Sequence, residues 1–299
     1  MRHDLTAVIV TYNSAHVIGD LLDSLPAALA GLTADVVVVD NGSADGTADV
    51  VAARGDCRLV RSVNTGYAGG INRGVRASPA RGPILVLNPD VRLHPGCIPP
   101  LMAALHCPGV GIAAPQVRSA TGRLELSLRR EPTLPRALGL TRTRLPFFSE
   151  YVAGAATYSA PATVDWALGA ALLVSRSAHD LLGGWDESYF LYSEETDLAL
   201  RARDAGLLTR YQPAAVVTHI GGQSGRSDAT HIMQIVNRVR LYRRRHGRLA
   251  SWCYFLVTAA NELSRVPRGH PESAPAVRAL LSPGRRPACL GCRDHLMPT

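Results

Sequence analysis

Along the first hundred residues, short apolar runs alternate with segments whose apolar positions fall three and four apart. Residues 5–11, 36–39, 58–61 and 84–87 are β-branched or leucine-rich runs. Their near-continuous apolar character is what a sheet covered on both faces demands. Between and after them, residues 14–29, 45–54, 67–77 and 98–105 carry helical spacing, as with Leu21, Leu22 and Leu25 in the first. Strand and helix in this alternation predict βαβ units and a parallel sheet. The second half is less regular. Residues 166–175 and 211–218 read as strands and 194–205 and 230–245 as helices, with Ser193 in a capping position. Residues 121–163, rich in Arg, Pro and Gly, predict loops and short pieces. The fold class is therefore α/β: a Rossmann-like, mostly parallel sheet flanked by helices, with a C-terminal helical extension. One body is expected over 1–248, divided into 1–115 and 116–248. An amphipathic helix over 249–266 and a disordered tail over 267–299 are expected to follow.

Composition narrows the function. Hydrophobic residues make up 46% of the 299 and charged residues 19%, which excludes a mostly disordered chain. Only 5% are aromatic, a poor basis for a base-stacking platform, so no nucleic-acid partner is expected. All 32 cationic residues are arginine; against 24 acids they leave a formal charge of +8. Twelve of them lie beyond residue 236, against three acids, so the preceding body is near neutral. Arg240, Arg243, Arg244, Arg245 and Arg248 precede Trp252, Tyr254, Phe255, Leu256 and Val257. Cations beside an aromatic and aliphatic face suit an anionic membrane interface. No apolar run approaches the length of a spanning helix, and the N-terminus lacks the regions of a signal peptide. A cytoplasmic protein is expected, peripheral at most on the inner face of the plasma membrane. The six cysteines form no disulfide framework. Cys289 and Cys292 stand before His295 without a fourth zinc ligand, and read as an incidental pair.

Candidate chemistry gathers at the ends of the strands, where an open α/β sheet binds its ligands. The first strand ends in Thr11-Tyr12-Asn13 and the second in Asp40-Asn41-Gly42-Ser43. The third is followed by Asn64-Thr65-Gly66-Tyr67-Ala68-Gly69-Gly70, with Asn72 just beyond, and the fourth by Asn88-Pro89-Asp90. Any one of these is ordinary turn chemistry; four at one edge are not. The glycine segment fits neither the dinucleotide fingerprint nor the P-loop, so dehydrogenase and ATPase functions lose support. Asp90, past a proline-stiffened turn, suits a hard divalent cation, Mg²⁺ or Mn²⁺, bridging a diphosphate. Glu194, Glu195 and Asp197 open a helix, where the dipole favours acids. The aromatic residues upstream supply apolar surroundings, which raise a carboxylate's pKa toward that of a useful base. His219 closes the late strand and could serve as a neutral imidazole ligand to the same metal.

Together these residues resemble family 2 glycosyltransferases of the GT-A fold, in the rhamnosyltransferase-like subgroup. The resemblance is carried by Thr11 to Asn13, the run from Val39 to Thr47 and the glycine segment from Asn64 to Gly74. It continues through Leu87 to Val91, the Glu-Glu-x-Asp-Leu run from Glu194 and the His-x-Gly-Gly-x-Ser ending from His219. It implies an inverting, metal-dependent hexosyltransferase using a nucleotide-diphosphate sugar. The donor it implies is dTDP-rhamnose; the acceptor is a glycan or a polyprenyl-diphosphate-linked sugar of cell-wall or polysaccharide biosynthesis. Thr11, Tyr12, Asn13, Asp40 and Asn41 would line the nucleobase pocket. Asn64, Gly66, Gly70 and Asn72 would belong to the donor site. Asn88 and Asp90 stand at the family's metal motif, where only Asp90 keeps a carboxylate, and His219 matches a metal ligand of some relatives. Glu195 occupies the position of the family's aspartate base, with Glu194 and Asp197 as alternatives. A transferase acting on a soluble natural product, or an inactive sugar-nucleotide-binding protein, are the rival functions.

Overall fold

A computed structural model of the chain describes residues 3–143, 145–221, 227–290 and 296. Its strands are β1 (Leu5–Thr11), β2 (Ala34–Asp40), β3 (Arg58–Arg61), β4 (Ile84–Leu87), β5 (Val91–Leu93) and β6 (Val110–Ser119). They continue with β7 (Leu128–Arg129), β8 (Ala162–Val164), β9 (Trp166–Ala167), β10 (Ala171–Val174) and β11 (Leu208–His219). The helices are α1 (Ala15–Leu29), α2 (Thr47–Ala52), α3 (Gly66–Ala77), α4 (Ile98–Leu105), α5 (Leu134–Ala137) and α6 (Ala155–Ser159). After these come α7 (Arg176–Leu182), α8 (Glu194–Asp204), α9 (Asp228–Arg245), α10 (Arg248–Arg265) and α11 (Ser273–Leu281).

Every residue of β1 is buried, and its side chains alternate between two cores. Ala7 and Ile9 face α1 and α4 on one side. Val8 and Val10 face α3, α7 and α8 on the other. The nine-stranded sheet runs β3-β2-β1-β4-β10-β6-β11-β5, with β8 paired to β11. β1, β2, β3 and β4 pair in parallel, as do β6 and β11. β10 is antiparallel to both β4 and β6, and β5 and β8 are antiparallel to β11. Six strands therefore share one direction, the mostly parallel sheet expected from the sequence.

This topology collects one edge. The carboxyl ends of β1, β2, β4 and β11 lie there, carrying Thr11, Asp40, Asn88–Asp90 and His219. Because β10 runs the other way, it is its amino end, Gly169–Ala170, that reaches the same edge. The expected single strand over 166–175 is consequently two, β9 and β10, parted where Gly169 passes Glu195. β11 skips register between Gln212 and Val216. Pro213 lies in that gap and has no N–H for a ladder, so the strand bulges before its functional end.

The C-terminal part differs from expectation. Residues 267–290, taken from their composition as disordered, contain α11, packed against α9 and α10. Ala276, Ala279, Leu280 and Leu290 are buried in one core with Val236, Tyr254 and Phe255. Composition misleads here because the apolar residues are few but fall on one helical face. Cys289 is exposed with a free thiol; Cys292 and His295 lie outside the described residues.

Candidate active site

On the donor side, the loops after β1 and β2 are tied to each other. Thr11 Oγ1 donates to Asp40 Oδ1 at 3.2 Å, and Ser43 donates to the same carboxylate through its N–H (3.2 Å) and its hydroxyl (2.5 Å). The Asn13 N–H donates to Ser43 Oγ at 2.9 Å, and Asn13 Oδ1 accepts from Ala44 N at 2.9 Å. Thr11, Asp40 and Asn41 are buried, whereas the Tyr12 ring is 57% exposed on the rim. Asn41 Nδ2 donates to the Gly66 carbonyl at 2.9 Å, and its Oδ1 is buried without a partner.

The glycine segment is built for close approach. Gly66 has φ +80°, and a Cβ there would stand 2.2 Å from the Phe190 carbonyl oxygen, which itself accepts from Tyr67 N at 2.7 Å. A Cβ on Gly70 would meet Val10 at 2.6 Å. Asn64 Oδ1 accepts from Gly66 N at 3.0 Å, closing the turn into α3. Asn72 turns away to hold Trp185: its Oδ1 accepts from Trp185 N at 3.0 Å and its Nδ2 donates to Trp185 O at 2.8 Å. Four of the residues expected to touch the donor thus make contacts that position α3 and the 185–190 loop.

At the centre of the edge, His219 and Asp90 meet because β5 pairs with the end of β11. His219 is in register with Val91, and Ile220 N donates to Asp90 O at 3.0 Å. His219 Nε2 lies 3.4 Å from Asp90 Oδ2, and on the other side of the ring Nδ1 lies 3.7 Å from Glu125 Oε2. Burial opposes protonation of His219, but Asp90 and then Glu125 outweigh it and raise its pKa. Among the described residues no three His, Cys, Asp or Glu side chains converge as a metal cage. The imidazole and one carboxylate oxygen fit a cation that takes its other ligands from a diphosphate and water. Gly222 and Ser224 of the same motif lie outside the described residues. Asn88 N donates to Ala170 O at 2.9 Å, which joins this turn to the start of β10.

The acidic helix start faces the same crevice. Tyr192 and Ser193 have φ +68° and +74°, unusual for residues with a Cβ. The Ser193 side chain makes no capping hydrogen bond. The turn is fixed instead from α9, where buried Asn237 donates to Leu191 O (2.9 Å) and Tyr192 O (3.2 Å). Strain of this kind is sustained only where the surroundings enforce it.

Glu194 is 4% exposed and Glu195 half-buried beside Gly169; each has an Oε2 without a hydrogen-bond partner. Burial and the charge of Glu195 push the Glu194 pKa well up. Burial also raises that of Glu195, countered by backbone hydrogen bonding and by Arg129. Asp197 is placed elsewhere: its carboxylate takes Arg201 Nε at 2.6 Å, while that arginine also holds Leu182 O and Gly184 O.

Tyr67 joins the two halves. Its hydroxyl donates to Gly169 O at 3.3 Å. Burial, then the charges of Glu194, Glu195 and Asp90, raise its pKa, so it remains a phenol. One ring thus senses Asp90 and both glutamates. Tyr67, Glu125 and Arg129 were not singled out from the sequence. Only Tyr67 left a trace there, within the glycine segment.

Comparison with known proteins gives this crevice a context. The model of glycosyl transferase family 2 matches residues 6–159. An N-acetylglucosaminyl-diphospho-decaprenol L-rhamnosyltransferase of Mycobacterium tuberculosis is 36% identical over 251 residues, 78% of this chain and 81% of its own. A low-salt glycan biosynthesis hexosyltransferase of Haloferax volcanii is 32% identical over 208 residues, 68% of this chain and 62% of its own. Among solved structures, a mannosyltransferase from Pyrobaculum calidifontis in complex with GDP-Man and Mn²⁺ superposes with a TM-score of 0.57. It is 19% identical, with 99% of this chain and 85% of the other covered, and so shares the GT-A fold.

Proposed function

Since the chain belongs to glycosyl transferase family 2, we propose that it transfers L-rhamnose from dTDP-rhamnose, with inversion, to N-acetylglucosamine carried on a polyprenyl diphosphate. The observation supporting this reading is a run of contacts at the carboxyl edge of the sheet. The Asn88–Asp90 turn, next to His219, is joined to Ala170, and the adjoining Gly169 takes the Tyr67 hydroxyl and lies against Glu195. The thymine nucleotide would lie between the Tyr12 rim and the Asp40–Ser43 loop, with its diphosphate toward Asp90 and His219. A divalent cation bound by these two would act as a Lewis acid toward the leaving diphosphate.

This chain's own residues do the rest. Glu195, with one carboxylate oxygen unpartnered, takes the proton from the acceptor hydroxyl as that oxygen attacks the anomeric carbon. Glu194 lies buried next to it. Tyr67, Gly169 and the Asn237-held turn fix the direction of Glu195, since positioning lowers a barrier only when the reacting atoms are held near attack geometry.

The acceptor's lipid calls for a membrane surface, and the outer face of α10 offers one. Leu249 (79% exposed), Leu256 and Leu263 line it. Beside it, exposed Leu138, Leu140, Leu145 and Phe147 project from the segment in which Gly139 abuts Asn261 of α10. Exposed Arg142, Arg248 and Arg268 accompany both. None of the described helices is long and apolar enough to cross a membrane; this face would lie in the interface.

Incubation of the purified protein with dTDP-rhamnose, Mn²⁺ and a short-chain prenyl-diphosphate-linked GlcNAc tests the reading. The expected product carries rhamnose with inverted anomeric configuration. Donor binding without transfer to this acceptor, or a retained configuration, would overturn it.

A further inference from the structure

Within the electrostatic reach of Glu195 stands a partly buried cation that makes no carboxylate ion pair among the described residues. Arg129 ends β7, in register with Trp166 of β9. Its guanidinium carbon lies 4.0 Å from the Tyr151 ring centroid and 5.8 Å from that of Trp166. Nη1 donates to the carbonyl oxygens of Leu126 and Leu128. Several arginines of this half are matched with carboxylates: Arg203 with Glu131 and Asp165, Arg238 with Glu150, and Arg201 with Asp197; Arg130 is held by the carbonyls of Ser149 and Tyr151. Arg129 joins no such ion pair among the described residues: Glu131, two residues on, is paired with Arg203, and Glu150, whose charge also acts on it, is taken by Arg238. Burial lowers its pKa, and the charges of Tyr151, Tyr158, Glu150 and Glu195 only partly restore it. A partly buried guanidinium compensated only by carbonyl dipoles and aromatic faces gains when an anion binds it.

The setting identifies the anion. The donor's diphosphate is directed toward Asp90 and His219, on the β4 and β11 side of Glu195. Arg129 approaches Glu195 from the two-stranded β7–β9 sheet instead. Its aromatic neighbour Tyr151, 45% exposed, continues directly from the segment that projects Leu145 and Phe147. An acceptor whose hydroxyl meets Glu195 therefore presents its opposite end to Arg129, with a route from there to the apolar surface.

We infer that Arg129, framed by Tyr151 and Trp166, binds the diphosphate of an isoprenoid-linked acceptor and so holds the acceptor sugar against Glu195. The assignment rests on the function proposed above but concerns a separate contact. The guanidinium is planar and always charged, and its fork matches phosphate oxygens.

The test uses the full chain. With a short-chain prenyl-diphosphate-linked GlcNAc, Arg129→Met is expected to raise the acceptor KM about ten-fold or more, the scale of one lost charged hydrogen-bonding group. With the neutral alkyl glycoside of GlcNAc the KM is expected to stay unchanged, and Arg129→Lys should recover part of the loss. An equal loss with both acceptors would overturn the proposal, because Arg129 would then act through Glu195 or the fold. Should the unaltered chain transfer to neither acceptor, the proposed function falls, and calorimetry decides on Arg129 separately. Farnesyl diphosphate, without divalent cation, is expected to bind the unaltered chain and to lose about ten-fold in Arg129→Met. No binding, or equal binding by the variant, overturns the proposal. Inorganic pyrophosphate binding as tightly as farnesyl diphosphate overturns the assignment to a lipid-linked acceptor.

Discussion

Glu194 and Glu195 adjoin in sequence and meet different surroundings. Glu194 points into the protein, and its neutral form is favoured by burial and by the charge beside it. Glu195 lies against Gly169 within the field of Arg129. Glu195→Gln is therefore expected to lower kcat by about 10²–10⁴-fold, the usual span of general-base assistance. Glu194→Gln should retain activity within several-fold; steady-state assays of both variants check the assignment. The pH dependence has a definite sign. Burial raises the pKa of Glu195, so the acid limb of the rate profile should lie above the ordinary carboxylate range. Glu194, also raised, binds a proton in the folded state that the unfolded chain has already released. Stability should then fall as pH rises from the ordinary carboxylate value through the raised one. Glu194→Gln should reduce that decline to the part Glu195 contributes, and denaturation at several pH values would show it. The sequence suggested an acid at this helix start but could not say which one. Choosing among three depends on what lies opposite each, and Arg201, Gly169 and Tyr67 come from other elements.

At the scale of elements, residues expected at the donor site also carry packing contacts. Gly66 permits α3 to start against the Phe190 backbone, at a φ of +80°. Gly66→Ala combines backbone strain with a clash against a carbonyl already used by Tyr67, and should cost roughly 2–4 kcal/mol. Denaturant titration would measure the loss, and an unchanged midpoint would refute the tight contact. The N-terminal strands were legible because each is buried on both faces. β7, two residues long, left no periodic signal, yet it carries Arg129; β9 with Trp166 was read as the start of a longer strand. α11 was also missed, for its apolar positions are spread among Pro and Arg. It nevertheless covers α9, whose Asn237 holds the turn before Glu194. Truncation after residue 266 exposes that core, and the thermal midpoint should drop by roughly 10 °C or more, given the burial of Val277, Leu280 and Leu290. A disordered tail would leave it unchanged.

On the scale of the whole molecule, the crevice and the apolar face are parts of one arrangement. The segment from Leu138 to Tyr151 connects the surface beside α10 with Arg129. Flotation with anionic vesicles should recover the full chain in the lipid fraction. Leu256→Asp combined with Leu263→Asp should reduce that recovery several-fold, because both residues are exposed and support no core. Flotation unaffected by the pair, or abolished at low salt by removal of charge alone, would place the contact elsewhere.

Local sequence was sufficient for the alternation of strands and helices, the polar residues closing the parallel strands, and the family to which those motifs belong. Each of these follows from neighbours along the chain, through side-chain period, turn chemistry and motif order. Tertiary structure alone decided that β10 runs backwards, that Asp90 meets His219 across the β5–β11 register, and that Tyr67 and Glu195 both meet Gly169. It also decided that Arg129 makes no carboxylate ion pair among the described residues. These facts arise between residues far apart in the chain, where pairing direction, register and burial determine which groups meet and which charge stays unmatched.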